Sequence, residues 1–431
     1  MMIKNVKGGY DYLPNEQKIR NYINDTLRGV FEQFGYKSIE TPILCYYDIL
    51  SDKYDEDSDI LKEIYQLSDQ GKRKLGLRYD LTVPFAKFIA LNKNNITIPF
   101  KRYEIAKVFR DGPVKLGRDR EFTQCDVDVV GLDGELIEAE LMMLFAMAFK
   151  KLDIDIVIKY NSRKLMSGLI LNARIDDALV SSVTTIIDKK DKISGDEFKE
   201  SLENLGIADS AIKALRNDFD LSLEELSDKY KGSSNNLIID GLKEVNSLAN
   251  YLKSLNLDGK CEFCSSLARG QNYYTGNVFE VYERNGKISG SIGAGGRYDM
   301  MISEFIDDGS KYPTVGISFG LSSIYELLKD RICDNTSSTD IYVIPINTNI
   351  EALKLAGMLR NLGYNVEVEM QDRKLKNSLS YVNKEKIPYA IILGEDEINS
   401  KMFKLKNMND GTETIINISN LEDVKNVIDK Q

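Results

Sequence analysis

Arg102, Arg110, Arg118 and Arg120 fall within nineteen residues, and Gln124, Asp126 and Asp128 follow in the same stretch, KRYEIAKVFRDGPVKLGRDREFTQCDVDVVG (101–131). A guanidinium is a planar fork of donors that matches phosphate oxygens. The amide and carboxylates that follow suit an amine or a ring N–H. Type and order together point to a site for a polyphosphate and a small cationic metabolite. A second group stands upstream in LRYDLTVPFA, where Asp80 and Thr82 mark a strand-to-helix junction with Pro84 placed for the first helical turn. Locally, either residue equally fits a helix N-cap. A third group lies downstream, in LARGQNYYTG and AGGRYD, where Arg269 and Arg297 each adjoin a glycine that permits close backbone approach to a ligand. Tyr273 and Tyr274 stand beside Arg269. The nearby glycine cluster lacks GK[ST] and does not read strand-loop-helix, so it is not taken as a phosphate loop.

These residues need a scaffold, and the sequence outlines one. Residues 101–131 read as two strands around the polar loop DGPVKLG, an antiparallel hairpin that would aim its arginines and carboxylates into one cavity. Ile19, Tyr22, Ile23, Leu27, Val30 and Phe31 recur at helical spacing and predict a helix over about 15–33. KSIETPILCYYDILSD reads as a strand with Pro42 inside it, which argues for an edge or interface position. Residues 65–69 and 74–78 suggest a second hairpin. After a helix over about 134–152 and the strand IDIVIKYN, residues 161–252 turn mostly helical and charged. They read as a helical insertion without evident chemistry. The Asn285-Gly286 pair signals a hairpin between a strand around Phe279 and Val281 and a second strand, KISGSIGAGG. VGISFGLSSIYELL runs from strand into helix. A polar stretch, 333–339, reads as a linker. Beyond it DIYVIPI, NIEALKLAGMLRNLG, NVEVEM, RKLKNSLSYVNKEK and PYAIILG alternate strand and helix, predicting a small, mostly parallel α/β domain. Arg373, Lys374, Lys376, Lys384 and Lys386 on its second helix fit either a nucleic-acid surface or a solvated face.

Composition narrows the chemistry. The chain of 431 residues is long enough for two or three domains with real cores, and it contains no histidine. That excludes histidine general bases, Ser-His-Asp triads and HExxH zinc sites. Five cysteines, without a signal-peptide pattern, argue for free thiols. Cys261 and Cys264 form a CxxC, but no second pair follows, so core packing is preferred to metal binding. No run of about 18 apolar residues occurs, so no membrane span is expected. The chain reads as cytoplasmic, and its net charge of −10 gives no support to a DNA partner.

The motifs, in their order, resemble the histidyl-tRNA synthetases, class II aminoacyl-tRNA synthetases, in the form shared with eukaryotes. Thr41-Pro42 resembles the first class II motif, FRDGPVKLGRDREFTQCDVDVVG the second, and LARGQNYYTG and AGGRYD the two signatures of the family. The resemblance implies an α+β fold. Residues 1–332 would form a class II antiparallel-sheet catalytic domain with the helical insertion, and 338–431 an anticodon-binding domain. It implies ATP-dependent attachment of histidine to tRNA(His) through a histidyl-adenylate, by a homodimer, with ATP accompanied by Mg²⁺ and no dedicated metal site. Carried over by position, Asp80, Leu81 and Thr82 would hold the α-amino group of histidine. Gln124, Asp128, Tyr273 and Tyr274 would line its pocket. Arg110 and Arg269 would flank the reacting phosphorus and contact the amino acid, and Arg118 would join Arg110 in binding ATP. Two departures are visible. Gln271-Asn272 stands where Leu-Asp is usual. Ser322-Ser323 replaces the Glu-Arg that ends the third class II motif, whose arginine clasps the γ-phosphate. The second departure keeps open an alternative, a non-catalytic paralogue that binds histidine or tRNA in a regulatory role.

Overall fold

A computed structural model describes residues 3–51, 59–190, 193–270, 273–331 and 337–428. Gln271-Asn272 and most of the expected linker lie outside them. The chain divides into two compact units, 1–332 and 333–431.

The first unit is built on an eight-stranded sheet. Its strands are β1 (Lys37–Ser38), β5 (Phe100–Phe109), β6 (Glu121–Val130), β7 (Ile156–Ser162), β8 (Cys261–Phe263), β9 (Asn277–Glu283), β10 (Gly293–Arg297) and β11 (Thr314–Gly320). They lie in the order β1-β5-β6-β11-β10-β9-β7-β8. The pairs β1/β5 and β7/β8 are parallel and the rest antiparallel. Between them in sequence, β2 (Leu44–Tyr46), β3 (Gln66–Ser68) and β4 (Lys74–Leu77) form a small sheet in the order β2-β4-β3.

Strand periodicity decides what each face of the large sheet holds. On β6, Cys125, Val127 and Val129 enter the main apolar core, beneath the helices Pro14–Gln33, Glu135–Lys151 and Leu321–Leu328. Phe319 of β11 sits there among Phe31, Phe145 and Phe149, with ring centroids 4.7 to 5.6 Å away. The alternate residues Gln124, Asp126 and Asp128 must therefore face the other side. That side is walled by the helices Thr82–Asn92 and Asp299–Ile306 through Phe85, Ile89, Met301 and Ile302.

Several local expectations are corrected. Pro42 lies between β1 and β2, not inside a strand. The preceding residue is held by a side chain instead of a ladder: Glu104 Oε1 accepts from both the N–H and the hydroxyl of Thr41 at 2.9 Å. The expected strand KISGSIGAGG pairs only from Gly293. Its earlier residues form a connection after Gly286, whose φ is +72°, and Lys287 N–H is taken by the Glu283 carboxylate at 2.8 Å. The helices of the insertion run from Arg163 to Ser254 and add to the main core instead of making one of their own; Leu165, Leu169, Ile238 and Val245 belong to it. Cys261 lies in β8 and Cys264 just beyond it; burial pushes the Cys261 thiol up to about 12.

The second unit has a five-stranded sheet of β12 (Ile341–Pro345), β13 (Val366–Val368), β14 (Tyr389–Leu393), β15 (Met402–Asn407) and β16 (Glu413–Asn417), in the order β13-β12-β14-β15-β16. It is less parallel than expected. The pairs β12/β13 and β12/β14 are parallel, whereas β14/β15 and β15/β16 are antiparallel. On its second helix, Leu375–Lys384, the outer face is exposed, while the neighbouring Arg373 lies over the Tyr381 ring at 4.5 Å.

Candidate active site

The floor of the site is β6 and its two neighbours. Register places Asp128 directly across from Arg102 on β5 and from Gly316 on β11, and Asp126 across from Ser318. Arg102 is fully buried. Its Nη2 lies 2.6 Å from Asp128 Oδ2 and also donates to Leu81 O at 3.1 Å. Tyr298 O–H donates to the other Asp128 oxygen. A Cβ on Gly316 would stand 1.8 Å from Asp128 Oδ1, so only glycine leaves the carboxylate room. Gln124 Nε2 donates to Ser318 Oγ at 3.0 Å, and its Oε1 is buried with no hydrogen-bond partner.

Asp80 lies close enough to this floor to feel the charge of Asp128. It is buried where β4 gives way to the Thr82–Asn92 helix, and its Oδ1 accepts from Val83 N–H at 3.1 Å, as an N-cap would. Its Oδ2 is buried and has no hydrogen-bond partner. The capping and ligand readings are thus compatible: one oxygen serves the helix and the other remains. Burial pushes Asp80 up to about 6, opposed by the Val83 N–H and by Arg110. Asp126 is pushed to about 8, again by burial, with Arg102 pulling it back and Asp128 adding to the rise. Asp128 is raised by burial and held down by Arg102 and Tyr298. Carboxylates crowded into a dry pocket favour a cationic guest.

The arginines separate more than the sequence suggests. Arg110 is half-buried at the rim, with Nε donating to Tyr79 O at 3.0 Å and its guanidinium 5.1 Å from the centre of the Phe122 ring. Arg118 is 52% exposed and pairs with Glu63 at 3.0 Å; Arg120 pairs with Asp111 at 3.1 Å. Arg102 is sunk in the floor. The hairpin therefore does not aim all four into one cavity. Arg269 pairs with Glu280 of β9, and its Nε is buried without a hydrogen-bond partner. Asp80 feels the charges of Arg110 and Asp128, while Tyr274 feels Arg269 and Asp126. Arg110 therefore acts on the carboxylate floor through Asp80, and Arg269 stands near it through Tyr274. Tyr273 and Tyr274 pack with ring centroids 4.7 Å apart, and Tyr273 meets Tyr298 at 5.9 Å. Arg297, flanked by glycine, is instead structural: its Nε donates to the buried Glu138 at 2.7 Å.

Sequence reasoning passed over Tyr298, Ser318 and Glu280, and it grouped Arg102 with the phosphate-binding arginines instead of pairing it with Asp128. Alternation along β5 and β6 puts Arg102 on the same face as Asp128, but only the register sets it opposite. The insertion is also less silent than expected. Asp188, at the end of the Val180–Ile187 helix, reaches Arg269 electrostatically and comes within 3.6 Å of where a Gly270 Cβ would be. The serines replacing Glu-Arg are buried under the hairpin loop, Ser322 Oγ donating to Asp119 at 2.9 Å and Ser323 Oγ to Gly117 O at 3.5 Å.

An antiparallel sheet that carries a motif-2 hairpin, with arginines at the rim and a strand-to-helix third motif beside it, is the catalytic fold of a class II aminoacyl-tRNA synthetase. Comparison with known proteins narrows the class. A histidyl-tRNA synthetase family model matches residues 8–324, and an anticodon binding domain model matches 340–427. Histidine–tRNA ligase 1 of Bacillus cereus is 45% identical, over 98% of this chain and 97% of its own. Histidine–tRNA ligase 2 of Shouchella clausii is 42% identical, over 95% and 97%. Among solved structures, histidyl-tRNA synthetase from Nostoc sp. superposes with a TM-score of 0.85 at 28% identity, covering 99% of this chain and 100% of that one. The chain belongs to the histidyl-tRNA synthetase family.

Proposed function

We propose that this chain activates histidine with ATP and transfers it to tRNA(His), as a cytoplasmic homodimer. The observation that supports the reading is a set of buried carboxylates and amide, with Asp80 Oδ2 and Gln124 Oε1 unpartnered, on which the charge of Arg110 acts at Asp80 and beside which Tyr274 feels both Arg269 and Asp126. Asp80 and Thr82, on either side of Leu81, take the ammonium. Gln124, Asp128, Tyr273 and Tyr274 enclose the ring, with Asp128 accepting its N–H.

The histidine carboxylate is ionised at neutral pH, so it attacks the α-phosphorus without a general base. Its oxygen forms the new P–O bond as the bond to pyrophosphate breaks. Arg110 and Arg269 neutralise the charge that gathers on the phosphoryl oxygens. The terminal ribose hydroxyl of tRNA then attacks the carbonyl of the adenylate, its proton passes to a phosphate oxygen of the adenylate, and AMP leaves. A chain without histidine residues can therefore do this work by positioning and electrostatics. Arg118 reaches the terminal phosphates from the hairpin loop, in place of the arginine absent at Ser323. Mg²⁺ would ride on the phosphate oxygens and lower their charge. No helix among the described residues is long and apolar enough to cross a membrane. The domain at 338–431 would read the anticodon.

Histidine-dependent ATP–pyrophosphate exchange, followed by charging of tRNA(His), tests the reading. Histidine binding without exchange at any ATP concentration would favour a regulatory paralogue instead.

A further inference from the structure

We propose that Arg102 is the positioning residue of amino-acid recognition: it fixes at once the carboxylate that reads the side-chain ring and the turn that holds the ammonium. The inference rests on the pocket being the histidine site. Arg102 stands opposite Asp128 across the β5/β6 ladder and is completely buried. One nitrogen, Nη2, serves both ends of the pocket, 2.6 Å from Asp128 Oδ2 and 3.1 Å from Leu81 O. Its other terminal nitrogen lies 3.7 Å from Glu104, and the guanidinium stacks 4.4 Å over the Phe85 ring at the head of the Thr82–Asn92 helix.

These contacts leave the guanidinium little freedom. Glu104 is itself held by Arg78, whose Nη1 donates to it at 3.0 Å and to Thr41 O at 2.6 Å. Asp128 is consequently held at both oxygens, by the ion pair with Arg102 at Oδ2 and by the Tyr298 O–H at Oδ1, while Oδ2 accepts no hydrogen bond. A carboxylate oxygen has two lone-pair directions, so each retains one for a ligand N–H. The buried positive charge has a second effect. Asp80, Asp126 and Asp128 lie together out of water, and without a nearby cation a carboxylic acid there would hold its proton. A protonated Asp128 would donate where an imidazole N–H needs an acceptor. Arg102 thus keeps Asp128 an acceptor and aims it.

The test uses the full-length chain. Isothermal titration with L-histidine and steady-state pyrophosphate exchange would be run on wild type, Arg102→Met, Arg102→Lys and Tyr298→Phe. β-(2-Thiazolyl)alanine, whose ring has no N–H, serves as the second ligand. Loss of charge-assisted contacts predicts a rise in KM and Kd for histidine of about 100-fold in Arg102→Met and about 10-fold in Tyr298→Phe. The KM for ATP should stay within about threefold, and partial recovery is expected in Arg102→Lys. Preference for histidine over the thiazolyl analogue should shrink by about tenfold, because the analogue never used the acceptor. Parallel loss for ATP and histidine, or equal loss for both amino acids, would mean that Arg102 only holds the fold, and would overturn the inference. Should Arg102→Met fail to fold, Tyr298→Phe decides alone: a histidine-only, N–H-dependent loss upholds the clamp, and its absence overturns it. Wild-type protein that does not bind histidine would remove the reading of the pocket and the inference together. Wild-type binding with indifferent variants would remove the inference only.

Discussion

A carboxylic acid buried among others is stabilised in its protonated form, and this chain keeps several. Burial carries Asp126 to about 8, Glu138 to about 7 and Asp80 to about 6. In an unfolded chain these groups titrate near 4. Between about pH 4 and 8 the folded protein therefore binds protons that the unfolded chain has released, and its stability falls as pH rises. Melting of the ligand-free protein should show a loss of roughly 1 kcal/mol per pH unit between pH 6 and 8, and Asp126→Asn should flatten the slope. A flat wild-type profile would show that the acids ionise normally. A second residue-scale prediction concerns Gly316. Its Cβ in Gly316→Ala would meet Asp128 at 1.8 Å, so the carboxylate must move, and histidine affinity should drop about 30-fold, or about 2 kcal/mol. Unchanged calorimetric affinity would place Asp128 outside the pocket. Residue types at spacing two along β6 were enough to put Gln124, Asp126 and Asp128 on one face. The pairings of Arg102 and Gly316 with Asp128 were hidden because spacing alone does not set strand register, and in the case of Gly316 the paired strands are also far apart in sequence.

At the level of elements, alternation and turn chemistry made the β5/β6 hairpin and the β11-to-helix junction legible, since both are local. What escaped was decided across the sheet: where β10 begins to pair, and how Thr41 satisfies its polar groups through Glu104. The third-motif helix shows how two elements settle a substitution jointly. Gly117, at φ +72°, rests on Ser323, and a Cβ there would meet the Ser323 hydroxyl at 3.0 Å. An arginine at 323 must displace this loop to reach the nucleotide. Ser323→Arg should still tighten ATP binding by one to two decades, the worth of one charge-assisted contact, and leave histidine binding unchanged. Arg118→Ala should weaken ATP binding by a similar factor. Titration of ATP against both variants checks the pair, and no response in either would show that the terminal phosphates are held by other groups.

Across the whole molecule, the apolar clusters respect the division at 332: two lie within residues 19–328 and two within 341–428. Each unit can therefore keep its own core. Deleting residues 338–431 should abolish charging of tRNA while largely sparing histidine-dependent pyrophosphate exchange; equal loss of both would refute the division of labour. The sequence places a polar stretch at 333–339 between the apolar patterns of the two units. It did not show that the insertion is continuous with the catalytic core, because helical periodicity does not name the surface a helix will meet. The reason lies in the first and last insertion helices, Arg163–Asn172 and Asn236–Ser254. They touch backbone to backbone, since a Cβ on Gly241 would stand 2.3 Å from Leu165 N and one on Gly168 would stand 2.8 Å from Ile238 N. The pair works as a socket welded to the catalytic layer. The segment between residues 173 and 235 leaves and returns through it, and Val183, Phe198 and Leu215 pack that segment into the same core while Asp188 acts on Arg269.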